Sequence, residues 1–291
     1  MLIIIFSVLY VQLFTDKNEY LVGENIFIGL TIINKGKGAE LMEKSTLVEK
    51  LYSEDAVMWD SFNNRVHHSI VSGTIVVEKG KKYNPPVVQV EPGETLTFEP
   101  ISIVGLPLVS YGGYEFVKDG KIGERCIPPG EYYFSISLRS FTNGITKIIS
   151  DTVHFIIKEP QNVDKEAWEI YKRYVLYLDL RKEIGKALKE GLKILMLTPP
   201  SNYRRNVIYS LKGIFSSKSW IVQPSEKKLI REILNHIMKQ FNSFNNFDKK
   251  GVVMCLIRGF KKIGMRDKEI YGKLEENHIP YENVIKEDFK K

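Results

Sequence analysis

The hydrophobic period of this chain changes once, and that change limits the fold more than any single motif. Before residue 158, apolar residues alternate with polar ones, as they do from Glu131 to Arg139, which is typical of half-buried antiparallel strands. After residue 162 they recur at steps of three and four, the period of an amphipathic helix. Pro160 lies at the change, and a proline cannot donate to a strand ladder. The sequence predicts a multidomain all-β plus all-α protein, in which an antiparallel β-sandwich is followed by an antiparallel α-helical array.

The net charge of the chain also changes sign at about residue 158. The 291 residues include 42 Lys and Arg and 35 Asp and Glu, a formal net charge of +7. Residues 1–158 hold 15 basic and 18 acidic residues, a net −3, whereas residues 159–291 hold 27 and 17, a net +10. We therefore expect any acidic partner or anionic surface to contact the helical half. Nucleic acid is not expected, because the basic residues are scattered doublets and the aromatic ones lie at helical core spacing.

Residues 2–11, a run of ten at the N-terminus, are apolar except for Ser7. The length of this run fits the core of a signal peptide and is too short for a membrane span, which needs about 20 residues. We expect residues 1–9 to be a signal peptide or its truncated remnant, the alternative being a buried extension of the first strand. This predicts an extracytoplasmic protein (periplasmic, cell-surface or secreted) without a transmembrane span in the mature chain, with a cytoplasmic location as the alternative.

Several segments can be assigned to elements. Residues 26–32 place Ile26, Ile28, Leu30 and Ile32 on one strand face, and Asn143-Gly144 is a strong hairpin signal. Weaker strand candidates are 56–62 and 70–77. In the helical half, Asp164 and Ser225 are predicted helix caps.

Four local patterns in the strand region recur together in one kind of module. They are K-x-x-Y-x-x-G-E at Lys17 to Glu24, Asn34-Lys35-Gly36 ending the next strand, Glu91-Pro92-Gly93-Glu94, and Pro129-Gly130-Glu131-Tyr132. In these patterns the chain resembles bacterial immunoglobulin-like modules, such as the intracellular proteinase inhibitor domain and several cell-surface domains. The resemblance covers about half the chain and implies an immunoglobulin-like sandwich over residues 10–160. It implies no single function, because such sandwiches carry many roles.

The helical half has a looser resemblance. Pro200-Ser201-Asn202-Tyr203 and the helix after it are similar to the inter-repeat turn of tetratricopeptide-type arrays from bacterial envelopes. A clean 34-residue repeat is not found, and small residues that would let helices approach closely are mostly absent from the pattern. The resemblance implies a degenerate array over residues 161–291.

Motifs for catalysis or metal binding are weak. His67 and His68 are neighbours that point to opposite faces of a strand, and His154 alternates outward, so no metal site and no cofactor are predicted. Ser225 and Lys228 match S-x-x-K without the accompanying motifs of penicillin-interacting enzymes. Cys126 and Cys255 are too few for a disulfide scaffold. We predict no catalytic residues and no enzyme activity.

The long connection at 105–129 is the predicted binding element. It carries Tyr111, Tyr114 and Phe116, and long aromatic loops at the end of a sandwich often bind ligands. Alternatively these rings cover one end of the core. We expect a non-catalytic envelope protein that recognises protein or glycan. A proteinase-inhibitor-like module acting through this loop is one alternative, and a hydrolase with its site at the domain junction is another.

Overall fold

The computed structural model of the chain describes residues 9–43, 56–66, 69–70, 87–104, 127–142, 145–180 and 183–288. These residues form two compact units, and the chain passes from the first to the second between Glu159 and Pro160. The first unit contains antiparallel sheets and the second contains helices.

Two sheets make up the first unit. The strands are β1 Leu9–Thr15, β2 Glu19–Leu21, β3 Asn25–Asn34, β4 Glu40–Glu43, β5 Ala56–Asp60, β6 Arg65–Val66, β7 Ser69–Ile70, β8 Val87–Val90, β9 Thr95–Val104, β10 Gly130–Thr142 and β11 Ile145–Lys158. One sheet has the strand order β1-β3-β9-β7 and the other the order β2-β11-β10-β4-β8, with β5 beside β10 and β6 beside β5. Every pair described is antiparallel except β2 with β11.

The predicted inward face of β3 is confirmed. Ile26, Ile28, Leu30 and Ile32 are all at most 1% exposed. Phe27 between them is also buried, so β3 is covered on both faces there. The register with β9 shifts between Ile28 and Leu30. At Gly29, the residue skipped by this shift, the ring of Phe14 lies so close that a Cβ atom would collide with it.

The long strands β10 and β11 follow the predicted alternation. The inward residues of β10 are buried: Tyr132, Phe134, Ile136 and Leu138. The pairing runs from Gly130 opposite Ile157 to Thr142 opposite Ile145. Asn143 and Gly144, the predicted turn, lie outside the described residues. Residues 71–77 of the weaker strand candidate also lie outside them, whereas the 56–62 candidate contains β5.

The K-x-x-Y-x-x-G-E segment is a self-contained polar turn. Glu24 is buried, forms an ion pair with Lys17 and accepts the backbone N–H of Leu21 at 2.9 Å. The hydroxyl of Tyr20 donates to Asp16 at 2.6 Å. Gly23 has a φ of 76°, which a residue with a side chain rarely adopts. These polar residues are therefore used for structure, because each buried group finds its partner within the turn.

Asn34 of the second pattern is also structural. Its side-chain amide donates to the carbonyls of Gly38 and Val90 at 2.9 and 2.8 Å, and its side-chain oxygen accepts the N–H of Gly36 at 2.8 Å. Asn34 is fully buried, so these bonds replace the ones it would make with water.

The second unit contains seven α-helices within the described residues. They are α1 Asn162–Val175, α2 Ile184–Met196, α3 Arg204–Ser216, α4 Pro224–Lys239, α5 Asn246–Lys262, α6 Asp267–Glu276 and α7 Glu282–Asp288. A π-helical segment, Leu176–Leu180, follows α1, and a 3₁₀ turn, Phe241–Ser243, follows α4. Helix α3 packs against α5, α2 against α1 and α4, and α4 against α5. None of the helices described has both the length and the hydropathy to cross a membrane.

Both predicted helix caps are wrong. Helix α1 begins at Asn162 with Gln161 as its cap, and Asp164 lies within the first turn. The carboxylate of Asp164 instead accepts hydrogen bonds from the side-chain hydroxyl of Ser201 and from the backbone N–H of Asn202, at 2.7 and 2.8 Å. It thereby holds the turn before α3, a long-range contact that local spacing does not reveal.

Ser225 is not a cap either. Pro224 occupies the first position of α4 and Gln223 precedes it as the cap. The carboxylate of Glu226 accepts the backbone N–H of Gln223 at 2.8 Å, which satisfies this helix end without the serine.

Two glycines lie where neighbouring helices come close together. A Cβ atom on Gly259 of α5 would lie 2.6 Å from a methyl carbon of Leu234 on α4 and 2.9 Å from the ring of Phe215 on α3. One on Gly191 of α2 would lie 3.1 Å from the ring of Tyr174 on α1. These glycines do not follow a repeat, so the repeat pattern alone could not find them.

We predict that Gly259→Ala lowers the free energy of unfolding by about 1–3 kcal/mol, because the methyl group overpacks a buried contact among three helices. Gly213→Ala is the matched control. It lies inside α3 with nothing within 4 Å, and should raise stability by about 0.5–1 kcal/mol. Urea denaturation of both variants measures the difference, and equal effects would contradict the close packing.

Candidate functional site

A row of three ring side chains crosses the outer face of the larger sheet. Trp59 of β5 lies opposite Tyr133 of β10, and Tyr133 lies opposite His154 of β11. The ring planes of Trp59 and Tyr133 are within 15° of parallel, with centroids 6.3 Å apart. The rings of Tyr133 and His154 are 4.9 Å apart. We call Trp59, Tyr133 and His154 the aromatic row.

Strand alternation places the aromatic row outward. The neighbours of its members along each strand, Met58, Phe134 and Phe155, are fully buried. Successive side chains of a strand point to opposite faces, so Trp59, Tyr133 and His154 face away from this core. Trp59 and Tyr133 are half-buried and His154 is exposed, which confirms the outward position predicted for this histidine.

A tight turn directly after β5 carries another aromatic ring, that of Phe62, three residues after Trp59. Asp60 accepts the backbone N–H groups of Phe62 and Asn64 at 2.9 and 2.8 Å, and Asn63 has a φ of 63°. The bonds from Asn64 and Phe62 lower the pKa of the Asp60 carboxyl, since they favour its charged form. Phe62 is 83% exposed at this turn. The turn therefore presents a large ring to solvent on a firmly bonded backbone.

Polar groups border the row. His154 lies 3.7 Å from the carboxylate of Glu131. The next outward pair along the strands is Ser135 and Thr152, and the Ser135 hydroxyl donates to the carbonyl of Asp151 at 3.0 Å. An apolar ring surface with hydroxyl and carboxylate groups beside it can stack on a ligand and bind its polar groups.

The helical unit contains a cleft of about 540 Å³ lined by α5 and by residues 275–284. Here the hydroxyl of Tyr281 donates to Glu275 at 2.5 Å, and this bond raises the pKa of Tyr281 to about 12. The phenol therefore stays protonated near neutral pH and is not poised as a general base. The Tyr271 and Tyr281 rings stack with centroids 4.9 Å apart, which gives this pair a packing role.

A second cleft, of about 600 Å³, lies between α2 and α4 and includes the S-x-x-K residues Ser225 and Lys228. Both are exposed in the first turns of α4. No hydrogen bond joins them in the part of the chain that the structure describes, so nothing there activates the serine.

A buried ion pair of the helical unit joins Arg205 of α3 to Asp248 of α5, with Nε and Oδ1 2.7 Å apart. Arg205 also lies over the Phe247 ring, 5.3 Å from its centroid. With exposures of only 5% and 9%, the two side chains are closed to a substrate, and the pair serves to join two helices.

The described residues contain no cluster of three or more His, Cys, Asp and Glu that could hold a metal ion. Cys255 is free and fully buried, and burial raises the pKa of its thiol to about 12. It is a core residue rather than a nucleophile.

Residues 105–126, most of the predicted binding loop, lie outside the described residues. Tyr111, Tyr114 and Phe116 lie outside the described residues, as do His67, His68 and Cys126. The proteinase-inhibitor hypothesis depends on this loop and stays a prediction, as does the hydrolase at the domain junction.

The pairing of Trp59 with Tyr133 is not predicted from the sequence. Both are outward residues of alternating segments, which the sequence shows. Their pairing depends on the register between β5 and β10, two strands more than 70 residues apart. Sequence alternation gives the face of a residue and not its neighbour on the next strand.

No protein-family model matches the chain, and no curated protein matches it significantly. Among solved structures, the sporulation control protein Spo0M of Bacillus subtilis is 14% identical, with a TM-score of 0.29 over 58% of this chain and 56% of Spo0M. The chain thus spans about half the length of Spo0M.

Two further structures are similar to parts of the chain. The fimbrial subunit MyfA of Yersinia enterocolitica is 13% identical, with a TM-score of 0.25 over 51% of this chain and 98% of MyfA. The α2-macroglobulin of Escherichia coli, from domain MG7 to its C-terminus, is 8% identical, with a TM-score of 0.29 over 93% of this chain and 50% of that one. Likenesses of this size assign neither a family nor an activity to this chain.

We predict that Cys255 resists alkylation in the folded protein. Its thiol is buried and stays protonated at about pH 8, whereas alkylation requires an accessible thiolate. Iodoacetamide followed by mass measurement of the peptide that carries Cys255 should show no label before denaturation and full label after it. Rapid labelling of the native chain would contradict the core position of this residue.

Proposed function

We propose that the protein is a non-catalytic, extracytoplasmic binding protein of the bacterial envelope that recognises a glycan or a protein through the aromatic row. The observation that carries this proposal is the alignment of Trp59, Tyr133 and His154 across three adjacent strands. Tyr and Trp are enriched at binding surfaces because they offer large contact areas with few rotatable bonds.

We further propose an immunoglobulin-like sandwich over residues 10–160, followed by a tetratricopeptide-like helical array over residues 161–291. One contact supports the first assignment. The Tyr132 hydroxyl, near the start of β10, donates to the carbonyl of Pro128 four residues upstream at 2.7 Å. A tyrosine that bonds back to the preceding corner is a feature of immunoglobulin-like sandwiches.

A glycan is the ligand that this surface favours. The faces of sugar rings present C–H groups that stack on aromatic rings, while their hydroxyls need donors and acceptors at the edge. The row offers both kinds of contact, since Glu131 and Ser135 lie two residues before and two residues after Tyr133 on the same face of β10. The carboxylate of Glu131 is also 3.7 Å from His154. A protein ligand would use the same rings, and the binding experiment separates the two.

We predict that Trp59→Ala and Tyr133→Ala each weaken glycan binding at least about tenfold, since removing a ring contact at the centre of a binding surface typically costs about 2 kcal/mol. The measurement is binding of the full-length chain to an array of soluble oligosaccharides and to insoluble peptidoglycan. Ile148→Ala is the matched control, because Ile148 is 72% exposed on β11 and distant from the row along the strand.

Three outcomes of this measurement are informative. Loss of glycan binding in the row variants with retention in Ile148→Ala supports the proposal. Glycan binding that is unchanged in the row variants contradicts it. If the array and the peptidoglycan both fail while an envelope protein binds in a row-dependent manner, the ligand is a protein.

The proposed compartment rests on the apolar run at residues 2–11. We expect the full-length protein, expressed with its own N-terminus in a bacterial host, to be recovered outside the cytoplasm. Fractionation followed by immunoblotting provides the measurement, with a variant carrying Ile4→Lys and Phe6→Lys as the control that stays in the cytoplasm. Recovery of the unaltered chain in the cytoplasm would refute the compartment.

A further inference from the structure

The loop between α3 and α4 exposes apolar side chains. Ile221 is 78% exposed, and Trp220 beside it is half-buried. The Trp220 ring stacks on Phe215 at the end of α3, with centroids 6.3 Å apart and planes within 19° of parallel. The loop, residues 217–223, therefore has an apolar tip whose aromatic base is anchored in the helical core.

Two cations from α5 lie at the base of this loop. The ammonium of Lys262 donates to the carbonyl of Ser217 at 2.5 Å and lies 5.4 Å from the centroid of the Trp220 ring. The guanidinium of Arg258 donates to the Ser216 hydroxyl at 2.8 Å. These contacts hold positive charge next to the indole, and Lys218 adds an exposed cation on the loop itself.

Acidic residues are missing from both sequence segments that form this surface. Residues 191–225 contain no Asp or Glu, and residues 256–266, at the end of α5 next to the loop, contain four basic residues and no acidic one. The nearest carboxylates along the chain have partners, since Glu226 accepts the Gln223 N–H and Asp267 pairs with Lys261 at 2.9 Å. The loop and the adjacent end of α5 thus form a strongly cationic surface.

We propose that this loop docks the helical unit onto an anionic lipid bilayer. Ile221 is 78% exposed, whereas Trp220, Arg258 and Lys262 are each partly buried, so the apolar side chain is the most exposed of the four. Ile221, the most exposed, would reach the acyl boundary, Trp220 would lie at the headgroup level that indoles prefer, and Arg258 and Lys262 would face lipid phosphates.

A lipid surface fits better than an acidic protein. An acidic partner would be attracted by the cations but would gain nothing from an isoleucine at the tip, unless it brought a matching apolar pocket. A bilayer accepts an apolar tip and surrounding cations together, because its anionic headgroups lie above its hydrocarbon. This surface lies in the helical unit and does not depend on the glycan proposal.

The test is sedimentation of the full-length chain with phosphatidylcholine vesicles made with or without phosphatidylglycerol. We expect binding only to the vesicles that contain phosphatidylglycerol, and weaker binding as salt is raised. Ile221→Ser should weaken binding about tenfold, and Lys262→Gln or Arg258→Gln about fivefold each. Met196→Ser and Lys165→Gln are matched controls on exposed positions of other helices and should leave binding unchanged.

Tryptophan fluorescence reports insertion directly. The chain has three tryptophans, Trp59, Trp168 and Trp220, so a blue shift on adding vesicles that is lost in Trp220→Phe locates the contact at this loop. Equal binding by Ile221→Ser and the unaltered chain would overturn the proposal. So would binding to soluble polyglutamate, but not to vesicles, that depends on Lys262 and Arg258, an outcome that would assign the surface to an acidic protein.

Discussion

The continuous register between β10 and β11 is the constraint on which the first unit depends. Thirteen consecutive pairs join the two strands, and side chains alternate between faces along both of them. A slip of one residue would move Tyr132 and Phe134 out of the core and place Tyr133 inside it. The same register aligns Tyr133 with His154, so the pairing that buries the core also builds the aromatic row. Strand β5 then adds Trp59 through its own pairing with β10.

Many of the polar residues that stand out in the sequence are used to complete turns. Glu24 and Lys17 close one turn, Asn34 another, and Asp60 a third. In each case a buried or partly buried group is satisfied by backbone donors or acceptors within or near its own turn. Patterns shared among related modules can therefore reflect backbone geometry, and they do not by themselves identify a ligand. The outward side chains of the larger sheet, in contrast, are not used to complete these turns and can contact a ligand.

Close packing between helices also decides where some of the charged side chains of the helical unit lie. Gly191 and Gly259 let helices approach, and the buried Arg205–Asp248 pair joins α3 to α5. Because α3 and α5 pack side by side, the cations of α5 lie beside the loop that follows α3. Neither helix alone would place positive charge around Trp220. Helix packing thus brings Arg258 and Lys262 of α5 next to the loop that carries Trp220.

The sequence alone determined which segments alternate with period two and which with period 3.6, the inward faces of β3 and β10, and the outward position of His154. These properties depend on local periodicity and on the tendency of apolar side chains to leave water. It did not determine the roles of Asp164 and Ser225, the glycine contacts, or the union of Trp59, Tyr133 and His154. Each of these depends on contacts between residues far apart in the chain, and the register or packing that brings such residues together exists only in the folded structure.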